Sequence, residues 1–360
     1  MTASPLPLET MTTHRPTYVQ LRERQLAARA AARPPRTYDL ARELDVSELS
    51  MALARLGDGV TLLRPDVDLL FARFEALGEV MGLTRNDGCV IEKHGHWAPF
   101  SRSGPAVGLV LDKGLDLRLF LHGFKHVLAV QVPNPRGSLD SIQCFDAAGR
   151  AVHKLFLLHA TSKPAYEAIV ADFAASQQVP PVPVLPWPVQ PPESAAVPPG
   201  DTIDAFRDAW RGLRDTHDFF AMTRRFGVAR QVALEIGPPE LVRRTTNDAA
   251  RMLLDHAVAT RLPIMVFVGN DACIGIHTGP IARAMPLGDW LNVMDPDFNL
   301  HLSTSAIAST WVVKKPTADG LVTSIEIFDA DRRLVVQFFG ARKPGQPELE
   351  QWRDFVATLP

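Results

Sequence analysis

The residues of this sequence that could do chemistry are its eleven histidines and a few cations set in apolar surroundings. His94 and His96 are two apart, so in a strand they share a face. His122 and His126 are four apart, so on a helix they would stand one turn above the other. Such pairs could contribute to a zinc site, but no HExxH pattern accompanies them, and hydrogen-bonded surface or core histidines account for them better. His217 is a different case. Ile203, Phe206, Trp210, Leu213, His217 and Phe220 follow the stripe of one helix face, although a break at Asp215-Thr216, with Thr216 capping a second helix, is also possible. Either arrangement puts an imidazole among bulky aromatics beside Phe219 and Phe220. It could be an axial ligand to a flat, apolar metal cofactor or a core histidine bonded to backbone; pattern alone favours the second.

The cations are the other signal. Arg118 lies between Leu117 and Leu119, with Phe120 two residues on and on the same strand face. Lys315 closes the strand-like stretch from Ala308 to Val313, just before Pro316-Thr317, and Arg342 follows Phe338-Phe339-Gly340. Cationic groups near apolar strands suit capture of carboxylates, bidentate for arginine; the ordinary alternative is a solvated side chain at a strand end. There is no GxSxG elbow, P-loop or dinucleotide fingerprint. Cys89, Cys144 and Cys273 are too scattered for a disulfide framework or a thiolate metal site, and read as small buried hydrophobes.

The elements that must position these residues occur twice. Asn86-Asp87-Gly88-Cys89 returns as Asn270-Asp271-Ala272-Cys273 at an offset of 184, and Asp116-Leu117-Arg118-Leu119 as Asn299-Leu300-His301-Leu302 at 183. Ser141 to Phe156 returns as Ser324 to Phe339, again at 183. In each copy, helix-suited segments (18–32 and 46–56 in the first) precede alternating, β-rich sequence from Gly88 onward. Phe145 to Gly149 and Phe328 to Asp331 read as matching hairpin turns. This order predicts an α+β fold: a tandem duplication in which each half is a large, mainly antiparallel sheet with helices packed at one side. The expected division is a disordered tail over 1–16, a first repeat over 17–175, a linker over 176–200 and a second repeat over 201–360. Nine prolines between Pro180 and Pro199 suit an extended connector. The repeat offsets carry His217 onto Arg33 and Pro34, with no histidine close by, which suits one site per chain.

At 360 residues, 46% hydrophobic and 22% charged, the composition is that of a globular protein of two domains. A net charge of −2 points to neither nucleic acid nor an anionic membrane. No apolar run of membrane-spanning length and no signal-peptide core occur, so a cytoplasmic protein is expected.

Taken together, Asp215 to Phe220, Phe226 to Arg230, Val266 to Asn270, Trp290 to Val293, Lys315 to Thr317, Val322 to Ser324, Gly340 to Arg342 and, in the first copy, Leu115 to Phe120 resemble the cytoplasmic haemin-degrading and haem-transport proteins of Gram-negative haem uptake systems, the HemS/HmuS type. The resemblance covers nearly the whole chain and implies a haem cleft between the halves, with haem as ligand or substrate. It implies that His217 is the haem-iron ligand and that Arg118 approaches the distal face with Phe120 beside it, where its charge would orient water or stabilise developing negative charge. It further implies that Arg230, Lys315, Gln337 and Arg342 bind or surround the propionates. Phe339 departs from the family, which often has tyrosine there; a lost hydrogen bond of about 1 kcal/mol predicts weaker or shifted haem placement rather than loss of binding. The implied activity is haem degradation that releases iron, with an external electron donor because no flavin or nicotinamide motif is present. The alternatives are a shuttle passing intact haem from an importer to a haem oxygenase, and a binding module unrelated to haem.

Overall fold

The computed structural model describes residues 15–31, 34–134, 137–343 and 345–360. Most of the tail expected over 1–16 lies outside the described residues, as does Arg33. Among the described residues eighteen strands form two nine-stranded sheets of matching order, antiparallel throughout. The first sheet runs β1 (Val60–Leu63), β7 (His126–Asn134), β8 (Gly137–Phe145), β9 (Ala151–Leu157), β2 (Glu79–Arg85), β3 (Cys89–His96), β15 (Phe298–Ser303), β14 (Trp290–Met294) and β13 (Ala284–Leu287). The second runs β10 (Val242–Thr245), β16 (Ser309–Thr317), β17 (Gly320–Phe328), β18 (Leu334–Gly340), β11 (Ile264–Gly269), β12 (Cys273–Gly279), β6 (Asp116–Phe120), β5 (Val107–Leu111) and β4 (Ser101–Arg102). Each sheet therefore takes six strands from one copy of the repeat and three from the other. The exchange is sealed by backbone pairing of β3 with β15 and of β12 with β6.

The α+β duplication expected from the sequence is present, with two adjustments. Strands start before Gly88, at β1 and β2, and a helix closes each copy after its last strand, Lys163–Phe173 and Glu350–Thr358. Gly82 interrupts the β-rich pattern of β2 for a packing reason: an added Cβ would lie 2.6 Å from Leu115 Cδ2, against the buried His153 ring. On one side of the second sheet, Ile264, Val266, Val268, Val312, Ile325 and Phe338 pack with Leu253 and Leu254 of the helix Ala249–Thr260 and with Trp352 of the last helix. The proline-rich segment runs without regular structure, apart from a bridge of Pro186 to Val46. It is bonded along its length. Trp187 N donates to Asp45 O at 3.1 Å, Arg150 reaches Pro188 O at 2.9 Å, and Arg333 bonds Gln190 O at 2.6 Å. The spacer thus fastens both repeats' hairpin turns. His122 lies in a short 3-10 turn, Leu121–Gly123, and His126 opens β7, so their helical pairing does not arise.

At the junction the repeat's two asparagines act reciprocally. Asn86 Nδ2 donates to Gly269 O (3.0 Å) and Val335 O (2.8 Å), while Asn270 Nδ2 donates to Arg85 O (2.9 Å) and Val152 O (2.8 Å). Each Oδ1 accepts two backbone N–H groups of its own turn. Asn270→Ala strands four partners in a half-buried setting, so a loss of about 3 kcal/mol is expected in urea unfolding. Asn270→Asp keeps the acceptor but turns a carboxylate oxygen onto the Arg85 and Val152 carbonyls, so it should lose at least as much.

Candidate functional site

The chain is not one helix from Ile203 to Phe220. The helix Gly200–Arg211 is fixed by buried Phe206 and Trp210, and Trp210 Nε1 donates to Lys314 O at 2.9 Å. It ends at Gly212, and the next helix, Asp218–Arg225, has His217 itself, rather than Thr216, at its N-cap. The intervening turn is held to the β16–β17 turn by Ala318 N donating to Arg214 O at 2.9 Å. The expectation of an imidazole embedded among aromatics fails here. Phe219 takes the core-facing position, Phe220 is exposed, and the His217 side chain is 91% exposed. The ring is nevertheless fixed: Asp215 Oδ1 accepts from His217 N at 2.8 Å and pairs with Nδ1 at 2.7 Å. The His217 backbone bond, then its side chain, hold the Asp215 carboxyl below its ordinary range. An ionised carboxylate only accepts, so Nδ1 carries the proton and a neutral ring presents a free lone pair on Nε2.

Near this turn stands a cationic shelf built on a residue that sequence reading missed. Glu326 is fully buried. It takes both arms of Arg230 at 2.9 Å, Lys315 Nζ at 3.0 Å, Gln337 Nε2 at 2.9 Å and Ser324 Oγ at 3.1 Å. Burial opposes its ionisation, but the Arg230 and Lys315 charges outweigh that and hold its pKa far below the usual carboxylate range. Lys315 is buried as well, not solvated at a strand end; burial lowers its pKa to about 8 against the pull of Glu326. Phe219 lies beneath, its ring centroid 4.6 Å from Lys315 Nζ and 5.4 Å from the Arg230 guanidinium. With all three ionised, two cations and one anion leave a single net positive charge.

Register then places the remaining candidates on the same sheet face. Glu326 lies opposite Gln337, and Gln337 opposite Phe267; Ser324 lies opposite Phe339, and Phe339 opposite Met265. Phe267 faces Ile276, which faces Asp116, and Ile274 faces Arg118. Phe267 and Phe339 meet edge to face at 5.1 Å. The face therefore grades from the shelf, over a half-buried apolar floor, to Arg118 and Phe120. Five strand spacings, about 24 Å, separate the Lys315 and Arg118 strands. Arg118 is paired with Asp116 on its own strand. Arg342 stands apart from the shelf, bonded at 3.0 Å to Asp319 in the β16–β17 turn that also holds the His217 loop. The structure thus joins Arg230, Lys315 and Gln337 directly, sets His217 and Arg342 at one turn, and puts Arg118 and Phe120 across the floor. The missed residues left faint signals: Asp116 and Asp215 each precede a candidate by two positions, and Glu326 is the one charged residue of its strand.

Among the described residues the first copy has no such site. Lys315, Glu326 and Gln337 correspond to Val132, Gln143 and Lys154, and Lys154 pairs with Glu48 at 2.8 Å. Where the second copy has Gly269, the first has Arg85, stacked over Tyr38 at 3.5 Å. The N-cap of the helix Thr37–Glu43 is Arg36, where the second copy has His217. Among the described residues no three His, Cys, Asp or Glu side chains converge as a metal site, and no helix is long and apolar enough to cross a membrane.

Comparison with known proteins gives a consistent result. Residues 45–173 and again 227–359 match the family described as haemin-degrading HemS.ChuX domain. The hemin transport protein HemS of Yersinia enterocolitica is 37% identical over 339 residues, covering 94% of this chain and 96% of the relative. The structure of holo-PhuS, a heme-binding protein from Pseudomonas aeruginosa, superposes with a TM-score of 0.89 at 41% identity, covering 96% of this chain and 99% of that one. That of ChuS, a heme degrading enzyme of Escherichia coli O157:H7, gives 0.86 at 31%, with 95% and 99% covered.

Removing Glu326 would leave the buried Lys315 and the half-buried Arg230 without their counter-charge, so Glu326→Ala should cost about 3 kcal/mol in denaturant unfolding. Because the folded pKa of Glu326 is depressed, its contribution is present above the unfolded value of about 4.3 and is lost as pH falls toward the folded value. The loss of stability in acid should therefore be shallower in Glu326→Gln than in the natural protein.

Proposed function

The chain belongs to the haemin-degrading HemS.ChuX domain family, and on that premise we propose that it binds one haem where its halves meet, with the iron on His217 Nε2, and opens the ring to release the metal. The observation that carries this reading is the fixed, outward-facing Nε2 of His217 beside a sheet face that grades from cationic to apolar. A haem has those three needs: an axial nitrogen, a flat apolar contact and cations for two propionates. Arg230 keeps Nη1 free of its bonds to Glu326, and Lys315 keeps further N–H donors, so both can take a propionate without releasing Glu326. Gln337 and Arg342 complete that side, Phe339 and Phe267 line the floor, and Arg118 with Phe120 serves the distal face from the other repeat. Haem would bring the redox-active iron, and ring opening draws its oxidant, dioxygen, and its electrons from outside the chain. Arg118 releases Asp116 to orient water or steady negative charge on the distal side.

A second reading, a carrier of intact haem, is favoured by one observation: the guanidinium of Arg118 is already neutralised by Asp116. Mass spectrometry of the tetrapyrrole after the haem complex is given an electron donor separates the two. A ring-opened product supports degradation; intact haem that moves to an added haem oxygenase supports the carrier. His217→Ala should weaken haemin binding and move the Soret band, and an unchanged spectrum would contradict the ligand assignment. Arg118→Ala should slow turnover while changing affinity little.

Propionates favour the protonated form of Lys315. Haemin affinity should therefore be full below pH about 8 and fall as pH rises through that value, toward the higher pKa of the complex. Lys315→Met should bind more weakly and lose this dependence in equilibrium titrations. Phe339→Tyr restores a hydroxyl and should tighten binding by up to about 1 kcal/mol, roughly five-fold.

A further inference from the structure

His217 is held in a way that its exposure alone would not require. One carboxylate oxygen, Asp215 Oδ1, closes two rings on the same residue by taking the backbone N–H at 2.8 Å and Nδ1 at 2.7 Å. The turn carrying both residues is fixed by the helix cap at Gly212 on one side, by the helix opening at Asp218 on the other, and by Ala318 bonding Arg214 O between them. A side chain 91% exposed gains no packing order, and a free imidazole would sample both tautomers and several rotamers. Asp215 itself is well exposed, so its pair with His217 adds little stability. Its effect falls on the ring.

We propose that Asp215 is a positioning residue for the iron ligand. It selects the Nδ1–H tautomer before haem arrives, and by accepting that proton's hydrogen bond it makes Nε2 a stronger, partly imidazolate donor once iron is bound. This inference rests on the proposed function. Its consequence is redox-linked: a stronger anionic donor stabilises ferric over ferrous iron, so the bound haem has a lower reduction potential. By thermodynamic linkage, the protein then holds ferric haem more tightly, relative to ferrous, than it would without Asp215.

The test uses the full chain with Asp215→Asn and Asp215→Ala, and His217→Ala as reference. In the haem-free protein, long-range 1H–15N spectra should show His217 as the Nδ1–H tautomer, and Asp215→Ala should show a mixture. In the haem complex, Asp215→Asn should keep the histidine-ligated Soret band but weaken haemin binding on the order of ten-fold. Its ferrous iron–histidine stretch should move to lower frequency, its reduction potential should rise, and its ferric-to-ferrous affinity ratio should shrink. An Nε2–H tautomer in the natural protein would overturn the positioning role. An unchanged iron–histidine stretch and potential in both Asp215 variants would overturn the donor effect. An His217→Ala spectrum identical to the natural one would instead overturn the haem-ligand reading, whatever the tautomer measurement gives.

Discussion

Joining both repeats at the candidate site depends on the backbone ladder between β12 and β6. By pairing Cys273 with Leu119 and Ile274 with Arg118, it lends three strands of the first repeat to the second repeat's sheet. Leu117 and Leu119 then sink into the first repeat's core cluster, and Arg118 and Phe120 are left on the opposite face, in line with Phe267, Phe339 and Gln337. A strand alternates strictly, so a slip of one residue would bury the guanidinium and expose the leucines. The reciprocal asparagines and the tight seat of Gly275, whose Cβ would lie 3.0 Å from Ile91 Cγ2, make such a slip costly. The two copies are thus interlocked, and a site drawing on both can be held at fixed geometry.

Within that frame, each polar group of the proposed site is bonded to an acidic side chain. Glu326 serves Arg230, Lys315 and Gln337; Asp215 serves His217, Asp116 serves Arg118, and Asp319 serves Arg342. The energetic meaning differs with burial. At Glu326, a cluster taken out of water is tolerable only because charges and hydrogen bonds match, so this carboxylate is structural. At the exposed Asp215 the pair is worth little as stability, and its value is orientation.

The duplication and the fold class were legible in the sequence, because blocks such as Ser141 to Phe156 and Ser324 to Phe339 retain pattern and offset. Strand exchange was not legible: local periodicity says that Asp116 to Phe120 is a strand, but nothing local says which sheet it joins. The cations Arg118, Lys315 and Arg342 could be picked out by their apolar neighbours, and the resemblance supplied Arg230 and Gln337. Glu326, which joins three of these residues, stayed hidden because its partners are 11 and 96 residues away in sequence. The setting of His217 was misjudged for a related reason. A helical stripe of aromatics extends across Gly212 to Thr216 on paper, while hydrogen bonding to Asp215 and the β16–β17 turn breaks it in space.

The central claim is that haem sits at the junction with its iron on the second repeat's histidine. Locating the iron by anomalous diffraction in crystals of the haemin-loaded protein tests this most directly. A single iron is expected at bonding distance from His217 Nε2, with the macrocycle against Phe267 and Phe339 and Arg118 on its far side. Iron bound to another residue, or equal occupancy of both repeats, would contradict it.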